Sequence, residues 1–188
     1  PVMKWEPRRK GVRARTCDRS RFHSTRESFV YRLDSEFKAM FDEAKKKGYD
    51  QVLWTDAFEH KYVQECGTMN VFFIIGNTAI TPSLEQGTIL DGVPRQSTIT
   101  LLKEMGFTVE EKELSIDDII EAYKANLLYE VFGTGTAATI SLIKELRYKD
   151  FVMKFDVDNW KTAPTVKKWL TDIREGRRED KYNWMQKI

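Results

Sequence analysis

Two short glycine-containing stretches carry the residue types of a cofactor site. They are residues 65–70 (ECGTMN) and residues 133–138 (GTGTAA). In each, glycine lets bare backbone approach a ligand while a neighbouring carboxylate or hydroxyl binds it. Between them, residues 87–95 (GTILDGVPR) lead into a predicted helix, whose free N–H groups and positive dipole end favour a phosphate. Three such pieces in one chain predict a site for a phosphorylated cofactor.

The same stretches resemble the C-terminal half of a branched-chain amino-acid aminotransferase, a pyridoxal-phosphate enzyme of fold type IV. The matching segments follow the family's order from about Glu43 to the C-terminus. They are 48–54 (GYDQVLW), 59–63 (EHKYV), 65–73, 87–95, 132–138, 170–176 (LTDIREG) and Trp184. Each segment alone is weak evidence, but together they are specific to this family. The resemblance implies transfer of an amino group between leucine, isoleucine or valine and 2-oxoglutarate.

By this resemblance, pyridoxal 5′-phosphate is the cofactor. Glu65 matches the carboxylate that pairs with the protonated ring nitrogen, the feature that makes the ring an electron sink. For the phosphate, Thr136 is expected to supply a hydroxyl and Val93 a backbone N–H. Pro94 stands where the family has threonine and offers neither an N–H nor a hydroxyl, and Asp91 adds negative charge nearby. We therefore expect this chain to bind the cofactor weakly.

Three further positions are expected by resemblance to contact the substrate. The backbone N–H groups of Thr68 and Ala137 match those that hold the substrate α-carboxylate, and Met69 matches a position near the branched side chain. A flexible thioether packs well against leucine, isoleucine or valine. Without the resemblance, Met69 would be a core residue and Glu65 a surface turn residue.

The lysine that binds the cofactor covalently in the family is missing. It belongs to a Lys-x-Gly-Gly-Asn-Tyr-Ala motif shortly before the segment that matches residues 43–50. Counting back without gaps places Phe29 at the lysine position and residues 31–34 where the rest of the motif belongs. Lys38 lies in a helical pattern with no glycines around it and is not a substitute. We therefore assign no catalytic residue.

Two functional interpretations follow. The first is a truncated or degenerate branched-chain aminotransferase, without the family's smaller N-terminal domain and inactive alone. The alternative is a non-catalytic partner or scaffold domain derived from that family. In either case the resemblance implies branched-chain amino acids and 2-oxo acids as ligands. It also implies a homo-oligomer or association with a complete family subunit.

The N-terminal segment differs from the rest in charge. Residues 1–28 carry a net charge of +6, whereas the remainder carries −4. Because the segment shows no strand or helix periodicity, we predict that residues 1–36 are disordered or non-native and that residues 37–188 form the aminotransferase portion. Three explanations of the basic segment remain: a nucleic-acid arm, the least supported, a solvated tail, or a shifted reading frame.

Other functional classes have little support. No apolar run approaches a membrane span and no secretory leader is visible, so we predict a cytoplasmic protein, with an organelle matrix as the alternative. His23 and His60 are too far apart and too poorly flanked to suggest a zinc site. Cys66 is expected to be a small buried residue rather than a nucleophile.

The elements that must position the site are predicted from periodicity and turn signals. A helix capped by Asp34 or Ser35 and ended by Gly48 precedes a meander, and beyond Pro94 helices and strands alternate. The predicted strands are 51–54, 62–63, 71–75, 79–81, 108–114, 139–143 and 151–155, and the later helices are 97–105, 115–128 and 163–175. This order predicts an α/β (mixed α+β) domain with a mixed sheet, an incomplete fold-type IV large domain.

Overall fold

The computed structural model describes residues 12–18, 39–137 and 139–186. Within these ranges nine strands form one sheet and four helices accompany it. The strands are β1 (Val12–Asp18), β2 (Gln51–Thr55), β3 (Val63–Cys66), β4 (Met69–Ile75), β5 (Thr78–Thr81), β6 (Thr108–Glu111), β7 (Leu128–Thr134), β8 (Ile140–Tyr148) and β9 (Phe151–Lys154). The helices are α1 (39–46), α2 (Val93–Glu104), α3 (Ile116–Lys124) and α4 (Thr162–Arg174). The predicted mixed α/β class is confirmed.

The sheet curls until six of its strands form a ring. The pairing order is β3-β2-β1-β8-β7-β4, and β3 also pairs with β4. Strand β1 is parallel to both β2 and β8, while the β2–β3, β3–β4, β4–β7 and β7–β8 pairs are antiparallel. Strands β5 and β6 extend the sheet beyond β4, and β9 extends it from β8. Strand β4 therefore has a central place beside β3, β5 and β7.

The first six residues of β4 are all buried. Because successive side chains of a strand point to opposite sides, both faces of β4 are therefore covered. Met69, Val71 and Phe73 join a core that includes α3 residues such as Ile119. Phe72 and Ile74 join a second core formed with α2 and α4. A sheet covered on both faces explains why the MNVFFII sequence of this strand lacks polar alternation.

Most predicted elements are present, with shifted ends. Helix α2 begins at Val93, before the predicted start at Ser97, because Gly92 rather than a serine is its N-cap residue and Pro94 occupies the first turn. The helix predicted from residue 115 is present as α3, where the Ser115 hydroxyl accepts from the Asp118 N–H and the Asp118 carboxylate accepts from the Ser115 N–H. The helix ends at Lys124, before its predicted end at residue 128, and β7 begins at Leu128.

The N-terminal segment differs from the prediction in one place. Residues 12–18 form β1 and pair with β2 and β8. The strand lies in the middle of the ring, where its backbone groups pair on both sides. The rest of 1–36 lies outside the described residues, as do the helix-capping prediction at Asp34 and Ser35 and the assignment of Phe29. Among the described helices, none combines the length and apolar character needed to cross a membrane.

Candidate active site

The two glycine-containing stretches lie side by side at one end of the sheet. Glu65 on β3 pairs with Asn70 on β4, and Asn70 pairs in turn with Thr134 on β7. Gly67, in the turn between β3 and β4, has a φ of 61°, and its carbonyl oxygen accepts a hydrogen bond from the Trp54 indole at 2.9 Å. A residue with a Cβ is disfavoured in this left-handed conformation. The predicted proximity of the two stretches is therefore present in the fold.

The third stretch is attached to the same place through Leu90. The Asn70 side-chain Nδ2 donates to the Leu90 carbonyl oxygen at 2.8 Å. The Leu90 N–H lies 3.4 Å from Glu65 Oε1. Asn70 Oδ1 would be only 2.6 Å from a Cβ added at Gly92, so glycine is needed where the chain passes Asn70. All three sequence stretches thus meet around Glu65 and Asn70.

A β-bulge on β3 brings the side chain of Gln64 to the segment before α2. Two β2 positions, Leu53 and Thr55, pair with Cys66 and Val63, so β3 has one extra residue between these pairs. A bulge redirects side chains that would otherwise alternate across the sheet. Gln64, in the bulge, is 4% exposed, and its Nε2 donates to the Thr88 hydroxyl at 2.9 Å.

The start of α2 has the features of an anion site, with one departure. Its first turn contains no acidic residue, and the side chain of Val93 is 79% exposed. Helix N-terminal N–H groups lack intrahelical partners and favour anions. Pro94 removes one of these donors. The Asp91 carboxylate, expected to oppose a phosphate, accepts from Gln96 Nε2 at 2.6 Å and lies 3.7 Å from Arg95 Nη1, which offsets part of its charge.

The remaining predicted residues divide between surface and core. Thr68, Thr136 and Ala137 are exposed, and the turn that carries Thr136 follows directly after β7. Met69 is 8% exposed, and its Cε lies 3.0 Å from the position of a Cβ at Gly133. The thioether therefore fills space that glycine leaves beside the turn. Its contact with a substrate side chain stays a prediction.

Arg95 is a residue whose burial the sequence did not reveal. Its guanidinium is fully buried on α2, and Nη2 donates to the Pro82 carbonyl at 3.1 Å and to Glu111 Oε2 at 2.8 Å. Nε and Nη1 have no hydrogen-bond partner, although Asp91 lies near Nη1. The sequence shows only an arginine after a proline, a pattern equally typical of a solvated helix. Asn70 and Gln64 also had no assigned role, although Asn70 lies within the 65–70 stretch.

Two other kinds of chemistry have no support in the described part of the chain. No group of three or more His, Cys, Asp or Glu residues is arranged there to hold a metal ion. Burial raises the pKa of the Cys66 thiol to about 12, so the thiol stays protonated near neutral pH and is a poor nucleophile. The groups available to a ligand are a carboxylate, hydroxyls and backbone N–H groups.

The chain is similar to known proteins of one family. The family profile for amino-transferase class IV matches residues 35–146, more than half of the chain. A probable branched-chain-amino-acid aminotransferase of Staphylococcus aureus (strain N315) is 46% identical over 144 residues, which cover 75% of this chain and 39% of that protein. Branched-chain-amino-acid transaminase 1 of Bacillus subtilis (strain 168) is 42% identical over 168 residues, which cover 89% of this chain and 46% of that protein.

A solved structure shows the same fold. The crystal structure of an aminotransferase from Brucella abortus bound to the cofactor PLP has a TM-score of 0.68 and 28% identity, and the match covers 89% of this chain and 55% of that one. The chain thus spans less than half the length of the two curated relatives. Since residues 37–188 alone are less than 89% of the chain, the similarity to the Bacillus protein includes part of residues 1–36.

Proposed function

Because the chain belongs to the class IV aminotransferase family, we propose that its described portion is the cofactor-holding part of a branched-chain amino-acid aminotransferase. The observation that carries this proposal is the convergence of the three glycine-containing stretches on Glu65 and Asn70. The relatives bearing branched-chain names support the substrate class. The substrates proposed are leucine, isoleucine or valine with 2-oxoglutarate as the amino acceptor.

The donor set fits the non-covalent half of a pyridoxal 5′-phosphate site. The cofactor, when bound, supplies an electron sink for the amino-acid substrate. Glu65 would pair with the protonated ring nitrogen, because an adjacent carboxylate favours the charged form. The α2 start, through the Val93 N–H, and the Thr136 hydroxyl would hold the phosphate, which must be paired with donors wherever it is partly buried. Pro94 removes one donor from this set and makes the binding weak.

The substrate would lie beside the two adjacent turns. Backbone N–H groups at Thr68 and Ala137 would bind its α-carboxylate, and both residues are exposed where the turns meet. The buried side chain of Met69 fills the space beside Gly133 and would limit the room available to a branched substrate side chain. These roles rest on the family resemblance together with the placement of the turns.

We propose further that this chain binds the cofactor without turning it over by itself. Covalent attachment and movement of the α-proton both require an amine at a fixed place. The sequence has Phe29 at the ungapped position of that lysine and lacks the surrounding motif. This absence also favours the alternative, a non-catalytic partner or scaffold domain that associates with a second copy or with a complete family subunit in the cytoplasm.

Two measurements on the purified chain test the proposal. Calorimetry should detect binding of pyridoxamine phosphate, which needs no lysine, and Glu65→Gln should weaken it because the ring nitrogen loses its charged partner. An assay with leucine, 2-oxoglutarate and pyridoxal phosphate should yield no glutamate above a protein-free control. Binding without glutamate formation supports the proposal; steady glutamate production overturns the inactive assignment, and absent binding overturns the cofactor assignment.

A further inference from the structure

Two buried amides hold the segment before α2 against the sheet. Asn70 is 6% exposed and Gln64 is 4% exposed, and each donates through its amide nitrogen to the 88–92 segment. Asn70 bonds the Leu90 carbonyl oxygen and Gln64 bonds the Thr88 hydroxyl. Both amides are buried and contact the segment that leads into α2.

The contact made by Asn70 is close enough to define a position. The Leu90 carbonyl oxygen accepts from Asn70 Nδ2 at 2.8 Å and from the Gly92 N–H at 2.9 Å. On the other side of the same amide, Oδ1 lies 2.6 Å from where a Cβ at Gly92 would be. The amide therefore bonds the segment at Leu90 and leaves no room for a side chain at Gly92, two residues on. Gly92 is the N-cap residue of α2, so this contact sets where the helix begins.

The β-bulge supplies the second attachment. Without the extra residue on β3, strict alternation would point Gln64 and Glu65 to opposite faces of the sheet. The bulge between the Leu53–Cys66 and Thr55–Val63 pairs relaxes that alternation, and both side chains reach the 88–90 segment. The segment before α2 is thus bonded to three neighbouring side chains, those of Gln64, Glu65 and Asn70.

We propose that Asn70 and Gln64 are positioning residues that fix the start of α2, and hence the phosphate-binding N–H groups, relative to the Glu65 carboxylate. This inference rests on the proposed cofactor site. A site that binds both the ring nitrogen and the phosphate of one small cofactor needs its two groups at a suitable separation, because small displacements weaken oriented binding. Asn70 and Gln64 would maintain that separation through their bonds to Leu90 and Thr88.

The test compares two ligands that differ only in the phosphate. Calorimetry on the full chain measures affinity for pyridoxamine phosphate and for pyridoxamine, and their ratio reports the phosphate contact. Asn70→Ala should lower this ratio about tenfold, as expected when one backbone N–H of α2 no longer reaches the phosphate. The affinity for pyridoxamine should change by less than about twofold. Gln64→Leu should lower the ratio in the same direction. A general loss of stability would weaken both ligands together and leave the ratio unchanged.

A matched control and a conservative variant complete the design. Asn77 also donates its amide to a backbone carbonyl, that of Gly106 beyond the other end of α2, so Asn77→Ala should leave the ratio unchanged. Asn70→Asp keeps the side-chain size but presents an acceptor to the Leu90 carbonyl, so it should lower the ratio even where Asn70→Ala fails to fold. Gly92→Ala should lower the ratio in the parent chain, but add no further loss to Asn70→Ala, because the clashing amide is gone.

The outcomes separate this inference from the function on which it rests. If the parent chain binds both ligands equally, the cofactor proposal is wrong and the inference falls with it. If the parent discriminates and Asn70→Ala and Asn70→Asp keep the parent ratio, the cofactor proposal stands and the positioning role is overturned. An additive effect of Gly92→Ala in the Asn70→Ala chain would also overturn it.

Discussion

Glu130 Oε2 accepts a hydrogen bond from the backbone N–H of Ala163 at 2.7 Å, across thirty-three positions of sequence. Its other oxygen accepts from the N–H groups of Lys161 and Thr162 at 2.9 and 2.8 Å. Helix α4 has no side-chain cap of its own. A buried carboxylate on β7 therefore supplies the acceptor that the first turn of α4 lacks, and it lies where the helix dipole favours negative charge.

Glu130→Ala is expected to destabilise the protein by about 2–4 kcal/mol, because three N–H groups at the helix start lose their acceptor. Chemical denaturation monitored by tryptophan fluorescence measures the loss. Asp118→Ala is the matched control, since it removes a local cap from α3 and should cost about 1 kcal/mol. Equal losses in the two variants would contradict a special role for the long-range cap.

Acid should weaken the loop that follows β2. Burial alone would raise the pKa of Asp56. Its carboxylate accepts hydrogen bonds from four backbone N–H groups, those of Glu59, Tyr62, Lys61 and Phe58, and their combined effect is larger, so the pKa lies below its ordinary value. A lowered folded-state pKa means that the carboxylate stabilises the fold above the unfolded-state pKa of about 4. This stabilisation is lost as the pH falls below that value towards the folded-state pKa.

Asp56→Asn should therefore lower the free energy of unfolding by about 2 kcal/mol at pH 7, and the difference from the parent should shrink as the pH falls below about 4. Denaturation curves across this range measure it. Asp150→Asn, which changes a fully exposed carboxylate, is the control and should have little effect at either pH. A difference between Asp56→Asn and the parent that stays constant with pH would rule out the carboxylate as its source.

Covalent labelling tests the missing lysine. After mixing with pyridoxal phosphate and reduction with borohydride, the chain should carry no stoichiometric, site-specific label, because Phe29 stands at the ungapped lysine position. Intact-mass measurement and peptide mapping give the stoichiometry and place. Scattered labelling of the exposed run 45–47 is expected as a background of unselective amines. One label per chain at a single lysine would contradict the assignment and restore an active-enzyme interpretation.

The sequence predicted those parts of the fold whose causes are local. The start of α3, the Gly67 turn and the strand β4 each depend on residues within one short segment, and each is present. The start of α2 was missed because Gly92 caps without a side chain, although Pro94 in the first turn is a recognised sign of a helix start. Local patterns thus located the elements better than their ends.

The candidate site divides in the same way. The roles of Glu65 and Thr136 were assigned by the family resemblance, and the stretches that contain them meet in the fold. The hydrogen bond from Asn70 to Leu90 joins residues twenty positions apart and depends on strand pairing, which no single segment encodes. The bulge at Gln64 likewise exists only through the register of β3 against β2. Long-range contacts of this kind required the structure.

Restoring the family residue at the helix start should strengthen cofactor binding. Pro94→Thr adds an N–H and a hydroxyl at the second position of α2, so calorimetry should show tighter binding of pyridoxamine phosphate by roughly tenfold. Pro94→Ala restores the N–H alone and should recover only part of the gain. Unchanged affinity in both variants would show that the first turn of α2 does not contact the phosphate.

Thr136→Ala tests whether the 133–138 turn and the α2 start form a phosphate site. Thr136 is exposed after β7, so its removal should leave the fold intact while taking away the proposed phosphate hydroxyl. Calorimetric titration with pyridoxamine phosphate should show that the parent binds and that Thr136→Ala loses at least about tenfold in affinity, with unchanged affinity for pyridoxamine. Equal affinity of Thr136→Ala and the parent chain for pyridoxamine phosphate would show that the 133–138 turn does not bind the phosphate.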